Sequence, residues 1–144
     1  MANVIPDSFK TDLLKGTFNF DSSGGSTFKL ALYTDISGLT TSTTAFTTTN
    51  EVSTSGTSYS SGGNTLTNNG VAGSSNIAFV DFADLTFSSV TLSAVGALIY
   101  KSGGSNEAVL VLDFGGTKTA TNGDFVVQFP TASSSAAIIR LGNA

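Results

Sequence analysis

From Thr17 onward, large apolar residues recur at every second position, as in Phe18-Asn19-Phe20 and Phe28-Lys29-Leu30-Ala31-Leu32, with turn residues such as Ser23-Gly24-Gly25-Ser26 between them. A period of two puts alternate side chains on one face of an extended chain, so these segments predict paired β-strands. Further strands are predicted at Ile77 to Phe82, Leu85 to Phe87, Val90 to Tyr100, Ala108 to Phe114, Phe125 to Phe129 and Ala137 to Leu141. Their predicted connections are Ser88-Ser89, Ser102-Gly103-Gly104-Ser105, Gly115-Gly116 with Asn122-Gly123, and Ser133-Ser134-Ser135. Asn68-Asn69-Gly70 reads as another turn, because Asn and Gly tolerate positive φ at little cost.

Two segments break the alternation. Ala97-Leu98-Ile99-Tyr100 and Ala108-Val109-Leu110-Val111-Leu112 are continuously apolar, which predicts a central hairpin covered on both faces. Phe125-Val126-Val127-Gln128-Phe129-Pro130 alternates and ends on a proline, as suits a strand terminus or an edge. The stretch from Gly38 to Ser61 contains a Thr/Ser tract, Leu39 through Thr49, followed by Asn50-Glu51-Val52 and Tyr59; with few large apolar residues beyond Phe46, it predicts a long loop holding at most one short strand.

One helix is predicted, at the N-terminus. Asp7 or Ser8 is placed to cap it, Phe9 and Leu13 fall on one side, and Gly16 ends it. An isolated helix of about two turns is marginal in water, so its Phe9/Leu13 side must cover either the protein's own sheet or a partner. The chain therefore divides into an arm with a short helix over residues 1–16 and one β-domain over 17–144. About eight strands at turn spacings of roughly ten residues, with no helices between them, predict an all-β antiparallel fold of β-sandwich or jelly-roll type. Closure into a small barrel is the alternative.

Composition narrows the chemistry. The 144 residues include no Cys, no His and no Trp, and only 11% are charged, against about 25% in ordinary soluble domains. Zinc fingers, thiol nucleophiles, Ser-His-Asp triads and histidine switches are excluded. A mean hydropathy of +0.21 and eleven Phe supply enough apolar surface for folding despite 21 Ser and 21 Thr. A net charge of −4, six scattered basic residues and a single arginine, Arg140, argue against nucleic acid as a partner. No run approaches the roughly 18 apolar residues of a membrane span, and the opening residues lack a signal-peptide pattern, so neither a membrane nor a cleaved signal is expected.

The candidate catalytic groups read as structural. Asp113-Phe114-Gly115 matches the kinase metal-binding triplet, but the chain has no catalytic-loop His-Arg-Asp, so it reads as a strand end entering a turn. Asp81 and Asp84 point to opposite faces of a regular strand, unless a bulge intervenes, and so make a poor carboxylate pair or calcium site. Glu51 would suit a general acid only with Asp35 or Asp21 opposite it. No catalytic residue, metal site or cofactor is expected. A surface with few charges is cheap to desolvate, which favours an assembly partner over a small-molecule pocket.

Several segments carry a resemblance. Ile5-Pro6-Asp7-Ser8-Phe9-Lys10-Thr11-Asp12-Leu13-Leu14-Lys15-Gly16, Phe28 to Tyr33, Ala45 to Ser53 leading to Tyr59 and Gly62-Gly63, Gly96 to Tyr100 and Leu112 to Gly115 resemble small virion structural proteins of tailed bacteriophages. The sequence departs from that pattern at Ser58, where a glycine is expected before the tyrosine. The resemblance implies a non-enzymatic head decoration, or cement, protein. Such a unit is β-rich and commonly trimeric, is made in the host cytoplasm, and binds the outside of the capsid to tie neighbouring major capsid subunits together. Val4, Ile5, Phe9 and Leu13 are then the expected docking residues. A tail or fibre component of the virion is the alternative, followed by a carbohydrate-binding β-module and, more distantly, a glycosidase.

Overall fold

A computed structural model describes residues 2–143. The described residues form one helix, α1 (Asp7–Leu14), and seven strands: β1 (Phe28–Tyr33), β2 (Asn64–Thr65), β3 (Asn68–Ser74), β4 (Ile77–Phe82), β5 (Leu85–Lys101), β6 (Ala108–Val127) and β7 (Ile139–Gly142). All pairings are antiparallel, in a four-stranded sheet ordered β2-β1-β5-β6 and a three-stranded sheet ordered β3-β4-β7. The expected all-β, sandwich-like architecture is therefore present.

The dominant element is the β5–β6 ribbon, and here the boundaries differ from expectation. Ser88-Ser89, Gly115-Gly116 and Asn122-Gly123 do not connect separate strands; they are irregularities inside β5 and β6, across which the same two strands stay paired. Between the pairs Phe87↔Phe125 and Val90↔Gly123, two residues of β5 face one of β6, and Ser89 takes φ 54°. Between Leu92↔Ala120 and Val90↔Gly123 the extra residue lies on β6, at left-handed Asn122, whose N–H donates to Thr91 Oγ1 at 2.9 Å. Between Gly96↔Asp113 and Ala94↔Lys118, four β6 residues face Val95 alone, with Gly115 and Gly116 at φ 73° and 146°. Bulges raise local twist and bend a strand. By inserting the extra residue at Ser88-Ser89, the ribbon returns both Phe87 and Val90 to the core although they lie three apart.

Two other expectations are corrected. Asn68-Asn69-Gly70 is not a turn but the start of β3, with a register shift between Asn68 and Gly70. The β3–β4 turn is Ser75-Asn76, where both φ values are positive, 53° and 64°, as a two-residue hairpin whose twist matches its strands requires. Phe18-Asn19-Phe20 forms no strand. Its backbone bonds instead close a small loop, with Ser26 N–H donating to the Asn19 carbonyl at 2.7 Å, while both phenylalanines point inward.

The core has two compartments, one on each face of the four-stranded sheet. The larger joins that sheet to β4 and β7 through Phe28, Leu30, Leu32, Val80, Phe82 and Ile139, and a run of touching rings crosses it. Phe20 stacks on Phe28 at 4.6 Å and 3°, and Phe9 of α1 meets Phe18 at 4.9 Å. The smaller compartment holds Ala31, Tyr33, Leu98, Tyr100, Ala108 and Val111 under Ile36 and Leu39 of the long loop. The Thr/Ser tract thus forms the second cover of a doubly buried sheet.

The predicted central hairpin is doubly buried as expected, but only β5 is interior; β6 is the sheet's outer strand. Its outer edge is closed near Val111, where Val4 exchanges two backbone hydrogen bonds of 2.9 and 2.8 Å with that residue. Helix α1 begins after Pro6 with no side-chain cap, so neither Asp7 nor Ser8 plays that part. The Thr41 carbonyl accepts the Asp7 N–H at 2.9 Å and the Thr43 carbonyl accepts the Ser8 hydroxyl at 3.1 Å. The long loop supplies the cap because it is folded over that end of the helix. Gly16, at φ 79°, ends the helix as expected.

Candidate functional site

The densest polar arrangement lies at the edge of β1. Residues 50–52 run alongside that edge: Thr34 N–H donates to the Asn50 carbonyl and Val52 N–H to the Leu32 carbonyl, both at 2.9 Å. This brings the Glu51 side chain over the loop 59–63. Its Oε1 accepts the Tyr59 hydroxyl at 2.8 Å and the Gly62 N–H at 2.6 Å, while its Oε2 accepts the Ser61 hydroxyl at 2.7 Å. Tyr59 also accepts the Leu32 N–H at 3.0 Å, so its hydroxyl serves as the acceptor that a neighbouring strand's carbonyl would otherwise supply. Tyr100 donates to the Gly62 carbonyl at 2.7 Å, and Tyr33 donates to the Thr47 carbonyl at 2.6 Å.

All three tyrosines of the chain therefore converge on the loops around Glu51, and all three are buried. Burial, reinforced by the Glu51 carboxylate, pushes each phenol's pKa above its ordinary value. Gly63 is needed at this junction: it takes φ 72°, and any Cβ would collide with the Leu30 carbonyl.

Chemically this arrangement is a clamp. Each Glu51 oxygen receives donors from its own loop, so the carboxylate ties Tyr59, Ser61 and Gly62 to the edge of β1. Neither aspartate considered as its partner joins it. Asp35 accepts the Ser37 N–H at 2.8 Å and hydroxyl at 3.1 Å, bonds that hold its carboxyl below the usual range; Asp21 is exposed just before the 22–24 turn. Asp81 accepts from the Asn69 side chain and Asp84 from the Phe129 N–H, so the two serve different segments. Asp113 accepts the Gly115 N–H at 2.8 Å, which lowers its pKa and shapes the β6 bulge. Among the described residues no three His, Cys, Asp or Glu side chains are grouped to hold a metal.

The four expected docking residues divide between the two compartments, with Phe9, Ile5 and Leu13 at the larger and Val4 at the smaller. Phe9 is 2% exposed within the ring cluster, Ile5 and Leu13 pack against the same core, and Val4 holds the β6 edge. The Phe9 side of the helix therefore packs on the domain's own core. Leu14, next to Leu13, is the exposed large apolar side chain of the helix, at 87%.

Three surface features were not legible in the sequence. On the distal half of the ribbon, a groove of about 380 Å³ is lined by Phe114, Lys118, Thr119, Asp124, Phe125 and Gln128, among others. The outward positions beside it carry hydroxyls, with Ser93 and Thr119 bonded across the strands at 2.7 Å and Val126 exposed. The three-stranded sheet overhangs the core, and Val71, Ala78 and Leu141 with Leu13 and Phe20 line an apolar groove of about 150 Å³. Compared with known proteins, the chain matches no family model, no curated protein and no solved structure.

Proposed function

We propose that this protein is a virion structural protein of the decoration type, binding the outside of a phage capsid and holding neighbouring major capsid subunits together without enzymatic chemistry. One observation carries the reading: the outer face of the distal ribbon is a broad, nearly uncharged sheet surface of Thr86, Ser88, Thr91, Ser93, Thr117 and Thr121, set over the buried Phe87, Val90, Leu92 and Ala94. Hydroxyls are cheaper to desolvate than charges and offer donors and acceptors to any opposing backbone. The resemblance of the N-terminal, Tyr59 and Gly62-Gly63 segments to virion proteins supports it, and the burial of all three tyrosines removes the aromatic platforms a sugar binder would use.

Each copy needs only a modest affinity, since many copies on one shell act together. The test is to add purified protein to capsids lacking it and to image the particles. The reading expects regularly spaced outer density, several hundred copies per particle, and greater resistance of the shell to heat. Density confined to the tail, or no binding to shells, overturns it, and a tail location would establish the fibre reading instead.

A further inference from the structure

Sheet edges attract other strands, and natural proteins block them with charge, short length, bulges or a covering segment. Four of the edges here are blocked in that way. The proximal edge of β6 is closed by Val4 and by residues 44–46, and its distal edge carries Lys118, Asp124 and two bulges. The β2 edge is two residues long, and β7 is four residues with Arg140 among them. Among the described residues, the β3 edge has none of these protections from Val71 to Ser74: it is exposed, regularly paired with β4 on its inner side, and uncharged. It lies within the longest charge-free stretch of the chain, residues 52–80. Beside it, Val71 is 52% exposed and Leu141 62% exposed along the apolar overhang.

We propose that the free edge of β3 is a self-association site, at which a second copy of this chain adds its own β3 antiparallel across a two-fold axis. The occupant follows from charge. The molecule carries −4, so two copies repel at most approaches, but at β3 they meet with no ionisable group between Leu66 and Val80. A two-fold axis at Ala72 sets Ala72 against its counterpart and Val71 against Gly73 of the second copy. The missing Gly73 side chain leaves room for the valine, and a Cβ there would meet only the Ile77 carbonyl, at 3.6 Å. The two three-stranded sheets then continue as one, and their overhangs line a single apolar cleft. This geometry makes a dimer, unlike the trimer the phage resemblance implies.

Sedimentation from about 1 µM to about 1 mM covers the range of small interfaces. The expected result is a mass rising from 14.6 kDa toward twice that value. Val71→Lys and Ala72→Glu should abolish the rise, and Val126→Lys should leave it intact. Because the chain has no cysteine, Ala72→Cys offers a readout that does not depend on destabilising variants. Directly opposed antiparallel residues have Cα atoms about 4.5–5.5 Å apart, within disulfide reach, so oxidation should give a covalent dimer that Val126→Cys does not match. A wild-type monomer throughout, an assembly indifferent to Val71→Lys and Ala72→Glu, or a closed trimer overturns the proposal.

Discussion

The two halves of the β5–β6 ribbon have the same partners and the same antiparallel ladder, yet they obey different rules. In the proximal half, Gly96 to Tyr100 and Ala108 to Leu112, every residue is buried, because the helix and Phe cluster cover one face and the long loop the other. In the distal half only Phe87, Val90, Leu92, Ala94, Ala120, Phe125 and Val127 are buried, and Ser and Thr occupy the outward positions between them. Pairing alone does not decide what a strand position tolerates; the number of covered faces does. Covering the second face takes a loop of Thr and Ser that would otherwise look like disordered sequence, held by Glu51 and three phenols.

The sharpest way to break the comparison is to truncate adjacent positions. Leu98→Ala and Ile99→Ala point to opposite compartments and should each cost about 2–5 kcal/mol in urea unfolding. If either is neutral, the proximal half is not doubly buried.

Next in size is the clamp that holds the loop. Tyr59→Phe leaves the Leu32 N–H without its acceptor and Glu51 without one donor, and should cost about 1–3 kcal/mol. The same phenols set an alkaline limit. Their folded-state pKa values lie above the ordinary 10.0, so their contribution to stability is complete below that pH. It falls as pH rises further, since the unfolded chain ionises first. Absorbance titration should therefore show tyrosinate appearing only together with unfolding. Free titration of any of the three near pH 10.0 in the folded protein would contradict their burial.

A smaller effect comes from Ser58, which takes φ 61° on the same loop. A left-handed backbone costs a non-glycine residue about 1 kcal/mol, so Ser58→Gly should stabilise the protein by up to that amount in thermal unfolding. The resemblance expected glycine at this position, and the backbone there is of the kind glycine adopts most easily. The smallest effect belongs to the distal half. Ser93→Ala removes only an exposed cross-strand bond to Thr119 and should change stability by about 0.5 kcal/mol or less. A loss comparable to that of Leu98→Ala would show that the outer face is as tightly constrained as the inner.

Much of the fold was legible in the chain. The continuous apolar runs at 97–100 and 108–112 announced the doubly covered segment, period-two patterning announced β1 and β4, and Gly16 announced the end of the helix. What misled was punctuation. Ser88-Ser89, Gly115-Gly116 and Asn122-Gly123 supply the positive φ values that turns need, but bulges need them equally. Only the partner across the sheet distinguishes the two, and that partner is tens of residues away. The site was less legible still. Glu51 stood out because the chain has only two glutamates, but its donors come from Tyr59, Ser61 and Gly62, and no local motif marks their convergence.

The sequence by itself determined the class of structure and much of the excluded chemistry, because periodicity and missing residue types are local properties that no packing can alter. Tertiary structure alone decided that the Thr/Ser tract is a cover, that Phe9 and Leu13 serve the protein's own core, and that the β3 edge is left open. Each of these depends on which distant segments reach the same surface first, and a side chain buried against one neighbour is not available to another.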